Sequence, residues 1–295
     1  MRSFRWVAAS CLTIVSFGGH AQDSPRFKSR VDIVNVTATV TDSSGRFVAG
    51  LDKSDFAVFE DGRRRDVVFF SDETAPVSLG ILLDTSGSMT GRRLDLARKS
   101  VARLVTRDLD GASEWFLARF GYSLVVAQEW TTDRDAIAQP LREARATGDT
   151  ALYDTIALAI PLADEGRLAK KALLVVSDGG ESKSLLSLDD VRRTIGRNDV
   201  RILAIAVDAP GGSRGDRFDV DALRRIVDET GGTTRVVASE VGIPSVTTQI
   251  ADELRHEYLL GYSTDFANDG RAHAIRVETL KRGMKVRARR GFVAN

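Results

Sequence analysis

Val77-Ser78-Leu79-Gly80-Ile81-Leu82-Leu83-Asp84-Thr85-Ser86-Gly87-Ser88-Met89 is the stretch on which the reading of this chain turns. Residues 77–83 form a mostly apolar run without sustained alternation, the pattern of a strand covered on both faces, as in a parallel sheet. The run stops at Asp84. Ser86 and Ser88 follow, with Gly87 between them to let the backbone turn, and Leu94, Ala97, Val101, Leu104 and Val105 then recur at helical spacing. One carboxylate and two hydroxyls therefore share a tight strand-to-helix loop at the carboxyl end of a central strand, where open α/β sheets place their ligands. All three are hard oxygen donors, which suit Mg²⁺, Mn²⁺ or Ca²⁺. Taken alone, the same residues also suit a polar turn that caps a helix N-terminus.

Two later stretches extend the pattern. Gly148-Asp149-Thr150-Ala151-Leu152 opens a helix, and Leu173-Leu174-Val175-Val176-Ser177-Asp178-Gly179 is a second buried strand ending in an acid. Asp84-x-Ser86-x-Ser88, with Thr150 and Asp178, resembles the metal-ion-dependent adhesion site (MIDAS) of von Willebrand factor A (VWA) domains, with all five positions in the family's order. The resemblance implies an α/β fold with a doubly wound, mostly parallel sheet. It implies a divalent cation, Mg²⁺ (or Mn²⁺ or Ca²⁺), held by Asp84, Ser86, Ser88 and Thr150, with Asp178 acting directly or through water. It also implies a protein partner whose Asp or Glu completes the metal shell.

Composition is that of an ordinary globular chain: 43% hydrophobic and 28% charged residues, with 42 Lys+Arg against 41 Asp+Glu. That balance argues against wholesale nucleic-acid binding. Residues 1–21 read as a signal peptide: Arg2 and Arg5 precede an apolar-leaning segment that is too short to span a bilayer comfortably and ends at Gly19-His20-Ala21. An exported chain is expected, periplasmic or secreted. The sole cysteine, Cys11, would leave with the signal peptide, so no disulfide is expected to support the mature fold.

On either side of the alternating strand-helix region lie segments that read as β alone. Residues 31–41 alternate and are strongly β-branched, and residues 56–60 and 67–70 read as a hairpin about the Asp61-Gly62 corner. Residues 258–262, 273–279 and 285–288 are further strand candidates. Each flank is too short to bury much by itself. The expected division is therefore 1–21 signal peptide, 22–73 the first part of a small β-sandwich, 74–257 the VWA-like domain and 258–295 the rest of the sandwich. Asp55-Phe56-Ala57-Val58-Phe59-Glu60-Asp61-Gly62, Leu254-Arg255-His256-Glu257-Tyr258-Leu259-Leu260-Gly261-Tyr262 and the ending Val286-Arg287-Ala288-Arg289-Arg290-Gly291-Phe292 are similar to phrases of exported bacterial proteins called VWFA-related.

A binding module, not an enzyme, is the reading these features favour. A phosphatase of the aspartate-nucleophile kind needs a second acid two residues on, and that position is Ser86. No His or Lys near Asp84 offers a general base. A structural protein with a vestigial site is a further alternative. His256 and His273 lie outside the site loops, no Cys/His cluster has zinc spacing, and Arg214-Gly215-Asp216 is too short a match to carry an integrin reading. The basic run 281–290 alternates with Met284, Val286 and Ala288, which suits a strand with one solvated face. Around the metal loops, Arg92, Arg93, Lys183, Arg214 and Arg217 are expected to form a basic rim facing an acidic partner.

Overall fold

The computed structural model describes residues 32–72, 75–209, 218–266 and 269–294. The expected signal peptide and the loop holding Arg214 and Arg217 lie outside the described residues. The first four strands are β1 (Asp32–Thr41), β2 (Phe56–Glu60), β3 (Arg63–Arg65) and β4 (Val67–Ser71). Strand β5 (Val77–Asp84) leads into α1 (Arg92–Arg103), then β6 (Glu114–Phe120), β7 (Leu124–Thr131), α2 (Ala138–Glu143) and α3 (Leu152–Asp164). Next come β8 (Lys170–Ser177), α4 (Leu188–Gly196), β9 (Arg201–Val207), α5 (Val220–Val227), β10 (Thr234–Val237) and α6 (Ile243–Arg255). The chain closes with β11 (Glu257–Thr264), β12 (Ala272–Thr279), β13 (Lys285–Ala288) and β14 (Gly291–Val293).

Six strands form one sheet in the order β10-β9-β8-β5-β6-β7, parallel except for the antiparallel edge strand β7. Every residue of β5 is buried, as its continuous apolar run requires. Leu79, Ile81 and Leu83 face one core with Leu96, Ala97 and Val101 of α1 and Ile250 and Leu254 of α6. Leu82 faces the other, with Ile156 and Ile160 of α3, Val191 of α4 and Ile226 of α5. Full burial of each large aliphatic contributes about 1.5–3 kcal/mol, so both faces hold β5 in the middle. The chain winds outward from β5 to β6 on one side and through β8, β9 and β10 on the other. The strand order thus reverses between β5 and β8, and their carboxyl ends border the crevice.

The flanking strands make two four-stranded sheets, β13-β1-β11-β4 and β14-β12-β2-β3, each with two strands from either end of the chain. Val36, Ala38 and Leu260 of the first share one core with Phe56, Val58 and Ile275 of the second. Strands from both ends of the chain thus close this core together.

Two local expectations need correction. The hairpin that turns at Asp61-Gly62 pairs β2 with β3, Val58 opposite Arg65, while the apolar segment 67–71 crosses to the other sheet and pairs with β11. The three arginines of β3 hid the true partner, because the apolar pattern points past them. The sequence also predicts a helix over 136–146; the structure limits it to α2 and one preceding 3₁₀ turn, ending at Glu143.

His273 on β12 is nearly buried, stacked on Phe266 with ring centroids 4.4 Å apart. Its Nδ1 lies 2.8 Å from Asp61 Oδ2 and its Nε2 3.1 Å from Asp269 Oδ2. Burial lowers its pKa, but hydrogen bonds and charge from the two carboxylates outweigh this, and the net shift is upward from 6.5. The imidazolium therefore stabilises the fold fully below that unfolded value, and the contribution is lost as pH rises through the raised folded value. Thermal melts are expected to show stability falling above about pH 6.5, a fall that His273→Gln removes. An unchanged profile in the variant would count against the pairing.

Candidate metal centre

Strand β5 delivers Asp84 at its last residue, fully buried. Asp84 Oδ1 accepts the Ser86 N–H at 2.8 Å, which folds the loop back over the carboxylate, and Oδ2 accepts the Ser177 hydroxyl at 2.5 Å. These are neutral donors. Burial, opposed by those hydrogen bonds and reinforced by nearby Asp178, pushes the Asp84 carboxyl up to about 6. A carboxylate withdrawn from water with no cation among these partners is a site where positive charge is stabilising.

The second loop is pinned to the first by backbone. Gly87 N–H donates to Gly148 O at 2.8 Å, Thr147 N–H to Thr85 O at 2.8 Å, and Ala151 N–H to Gly121 O at 2.8 Å. Gly148 has a positive φ of 76°, which turns the chain so that Thr150 faces inward, nearly buried. The N-terminus of α3 that follows receives Glu181 from the third loop, whose Oε2 accepts the N–H groups of Leu152 at 2.8 Å and Tyr153 at 3.2 Å. A carboxylate there satisfies orphan donors and the helix dipole together.

The third loop follows β8. Asp178 is fully buried, and its Oδ1 accepts the Gly180 N–H at 3.0 Å. Gly179 has φ +83°, and a Cβ on it would fall 2.0 Å from Asp219 O, so only glycine fits. Gly180 measures the convergence of the three loops. A Cβ on it would lie 3.2 Å from Asp178 Oδ1, 3.7 Å from Ser88 Oγ and 3.8 Å from Thr150 Oγ1. Ser88 Oγ in turn lies 3.1 Å from Ser86 Oγ, and Ser86 is bonded to Asp84. All five expected oxygen donors thus meet in one cradle, two carboxylates and three hydroxyls, with no nitrogen or sulfur ligand among them. That set suits a hard divalent cation of the Mg²⁺ class and not a Zn²⁺ site. No group of three or more His, Cys, Asp or Glu side chains that could hold a metal ion occurs among the described residues.

The expected basic rim is only partly on the surface. Arg92 and Lys183 are exposed beside the cradle. Arg93 is not: the residue is buried, and Nη1 donates to Asp178 Oδ2 at 2.9 Å. Adjacent helical residues point about 100° apart, so one arginine of the pair faces out and the other in. Sequence reasoning passed over Ser177, Glu181 and the exposed apolar side chains of Tyr122 and Leu185 on the bordering loops. Ser177 had a signal, its place as the last strand residue before Asp178; the others had none of their own.

Residues 79–181 match the family model described as von Willebrand factor type A domain. This part of the chain is a VWA domain. Among solved structures, an aerotolerance-related membrane protein from Bacteroides fragilis aligns with a TM-score of 0.53 at 18% identity, over 60% of this chain and 98% of that one. The conserved hypothetical protein BatB from Bacteroides thetaiotaomicron gives a TM-score of 0.51 at 18% identity, with the same coverages of 60% and 98%. A von Willebrand factor type A structure from Catenulispora acidiphila gives 0.52 at 14% identity, covering 91% of this chain and 76% of that one. At these identities the likeness is one of fold. The VWA sheet is shared by all three, and the 91% span reaches into the flanking strands as well. No curated protein matches the chain. No helix among the described residues is long and apolar enough to cross a membrane.

Proposed function

We propose that this chain is an exported, metal-dependent protein-binding module, in which a divalent cation in the VWA cradle accepts a carboxylate from a partner's Asp or Glu. The observation that carries the reading is the meeting of Ser88, Thr150 and Asp178 oxygens within 3.8 Å of one point, in a cradle that Asp84 and Ser86 complete by hydrogen bonding. Asp84, Ser86, Ser88 and Thr150 would hold the cation, with Asp178 direct or through water. When bound, Mg²⁺ would supply a charge centre that the two protein carboxylates, one of them already paired with Arg93, leave under-neutralised, so an anionic ligand is attracted. The cradle opens at the carboxyl end of the sheet, with Arg92 and Lys183 on its rim to favour an acidic partner and speed its approach at low salt. Leu185, 92% exposed, and Tyr122 offer apolar anchors beside the charge. No candidate general base sits among the groups bonded to Asp84 or Asp178, which is why binding and not hydrolysis is proposed. Export rests on the charged and apolar pattern of residues 1–21.

Capture from an envelope fraction tests this. A partner held by the full chain in Mg²⁺ should be released by EDTA and bind more weakly to Ser86→Ala. Capture that survives both chelation and Asp84→Ala would place the contact on another face.

A further inference from the structure

The Arg93 guanidinium ties together the three loops that leave β5, β8 and β9. Nη1 donates to Ser88 O at 3.0 Å and to Asp178 Oδ2 at 2.9 Å, and Nε donates to Ala209 O at 3.1 Å. Both partners of the ion pair are withdrawn from water, with side-chain exposures of 7% and 0%. The two oxygens of Asp178 therefore have separate roles: Oδ2 is engaged by Arg93, while Oδ1 faces Gly180 N–H and the hydroxyl cradle.

We propose that Arg93 is a built-in counter-ion of the metal centre, which neutralises Asp178 when no cation is bound and competes with a bound cation for it. The inference rests on the metal reading above. Two carboxylates and one guanidinium leave the cradle with a single negative charge, where two carboxylates alone would leave two. The first consequence concerns affinity: a fixed positive charge beside the cradle weakens attraction for a second cation. The second concerns the loops. Two buried, unpaired carboxylates repel and resist burial, whereas an Asp178 already paired stays in place when the metal leaves. Arg93 thus makes loading reversible, because release of the cation does not leave Asp178 as a bare buried charge. The third concerns the partner. A divalent cation turns the net charge of this centre from one negative to one positive, which favours an anionic completing ligand.

A guanidinium that merely staples loops would give the same hydrogen bonds, and metal dependence separates the two. Full-length wild type, Arg93→Gln and Arg93→Lys are melted in EDTA and in Mg²⁺, and Mg²⁺ binding is measured by calorimetry. Arg93→Gln should melt lower than wild type in EDTA and recover most of the loss in Mg²⁺, and should bind Mg²⁺ roughly tenfold more tightly. Arg93→Lys, which keeps the charge, should retain near wild-type Mg²⁺ affinity. If Arg93→Gln does not fold in EDTA, folding on addition of Mg²⁺ supports the proposal and its absence overturns it. Unchanged or weaker Mg²⁺ binding by Arg93→Gln, with no metal rescue of its melting point, also overturns the counter-ion role while leaving the metal centre standing. A wild-type chain that takes up no Mg²⁺ at all fails the underlying metal reading, and this inference with it.

Discussion

Titration of the full chain with Mg²⁺ is expected to show one site per molecule, and Asp84→Ala to show none. Asp84 is the buried carboxylate of the first loop and organises the rest of it. Its Oδ1 holds the Ser86 amide and its Oδ2 holds Ser177, which itself accepts the Gly179 N–H at 2.9 Å in the third loop. Removing the side chain deletes a charge that the cation needs and loosens two of the three loops at once, so a loss of at least a hundredfold, about 3 kcal/mol, is expected. Asp84→Asn separates the effects: it keeps the shape, removes the charge and should also abolish uptake. Ser86→Ala removes a neutral donor and should weaken binding by roughly tenfold, close to the worth of one hydrogen bond. Neither Asp84 variant should unfold the chain. Water exclusion already pushes this carboxyl up to about 6, so its ionised form is held at a cost when no cation is present. Mg²⁺ uptake by Asp84→Ala equal to that of wild type would sink the assignment.

The largest stability effect is expected far from the candidate metal centre, at Arg201. This arginine opens β9 and is 2% exposed. Nη2 donates to Glu253 Oε1 at 2.7 Å and to Gly231 O at 2.9 Å, and Nη1 to Glu257 Oε1 at 2.6 Å. Glu253 lies in the last turn of α6 and Glu257 begins β11, so a single guanidinium joins the central sheet, its last helix and a flanking sheet. Burial pushes the Glu257 carboxyl upward despite the charge of Arg201 beside it. Arg201→Met removes the cation these two buried carboxylates share and leaves Glu253 only the longer 3.9 Å contact to Arg235 and Glu257 the charge of Lys170, a change that costs about 3–5 kcal/mol. For a chain of this size the melting point should fall by on the order of 10 °C. Adding Glu253→Gln removes one of the stranded charges and should restore part of the loss, a coupling that a double-mutant cycle in urea measures. Mg²⁺ affinity should be unchanged, because Arg201 lies at the amino end of its strand and the cradle at the carboxyl ends. A loss below about 1 kcal/mol, the range of an exposed pair, would mean that Arg201 is not the cation these carboxylates depend on.

Sequence alone determined the parts whose signal is local. The apolar run of β5 needs both faces covered and therefore names a central strand. Asp84, Ser86, Ser88 and Asp178 follow directly on apolar runs and Thr150 opens a helix, so the loops that hold the candidate site could be read directly. The β-only flanks, too short to close a core apart, pointed to one another. Tertiary structure decided what depends on partners distant in the chain. Which of two adjacent arginines turns inward is fixed by Asp178, 85 residues from Arg93, and not by the doublet itself. The partner of β2 was hidden because pairing to the three arginines of β3 rests on backbone hydrogen bonds, which leave no apolar pattern. Arg201 looks in sequence like any polar residue at the head of a strand, and only the arrival of Glu253 and Glu257, 52 and 56 residues later, makes it a buried cation. Apolar periodicity is written in neighbouring residues, whereas charge compensation in a core is settled only when distant segments are brought together and water is excluded between them.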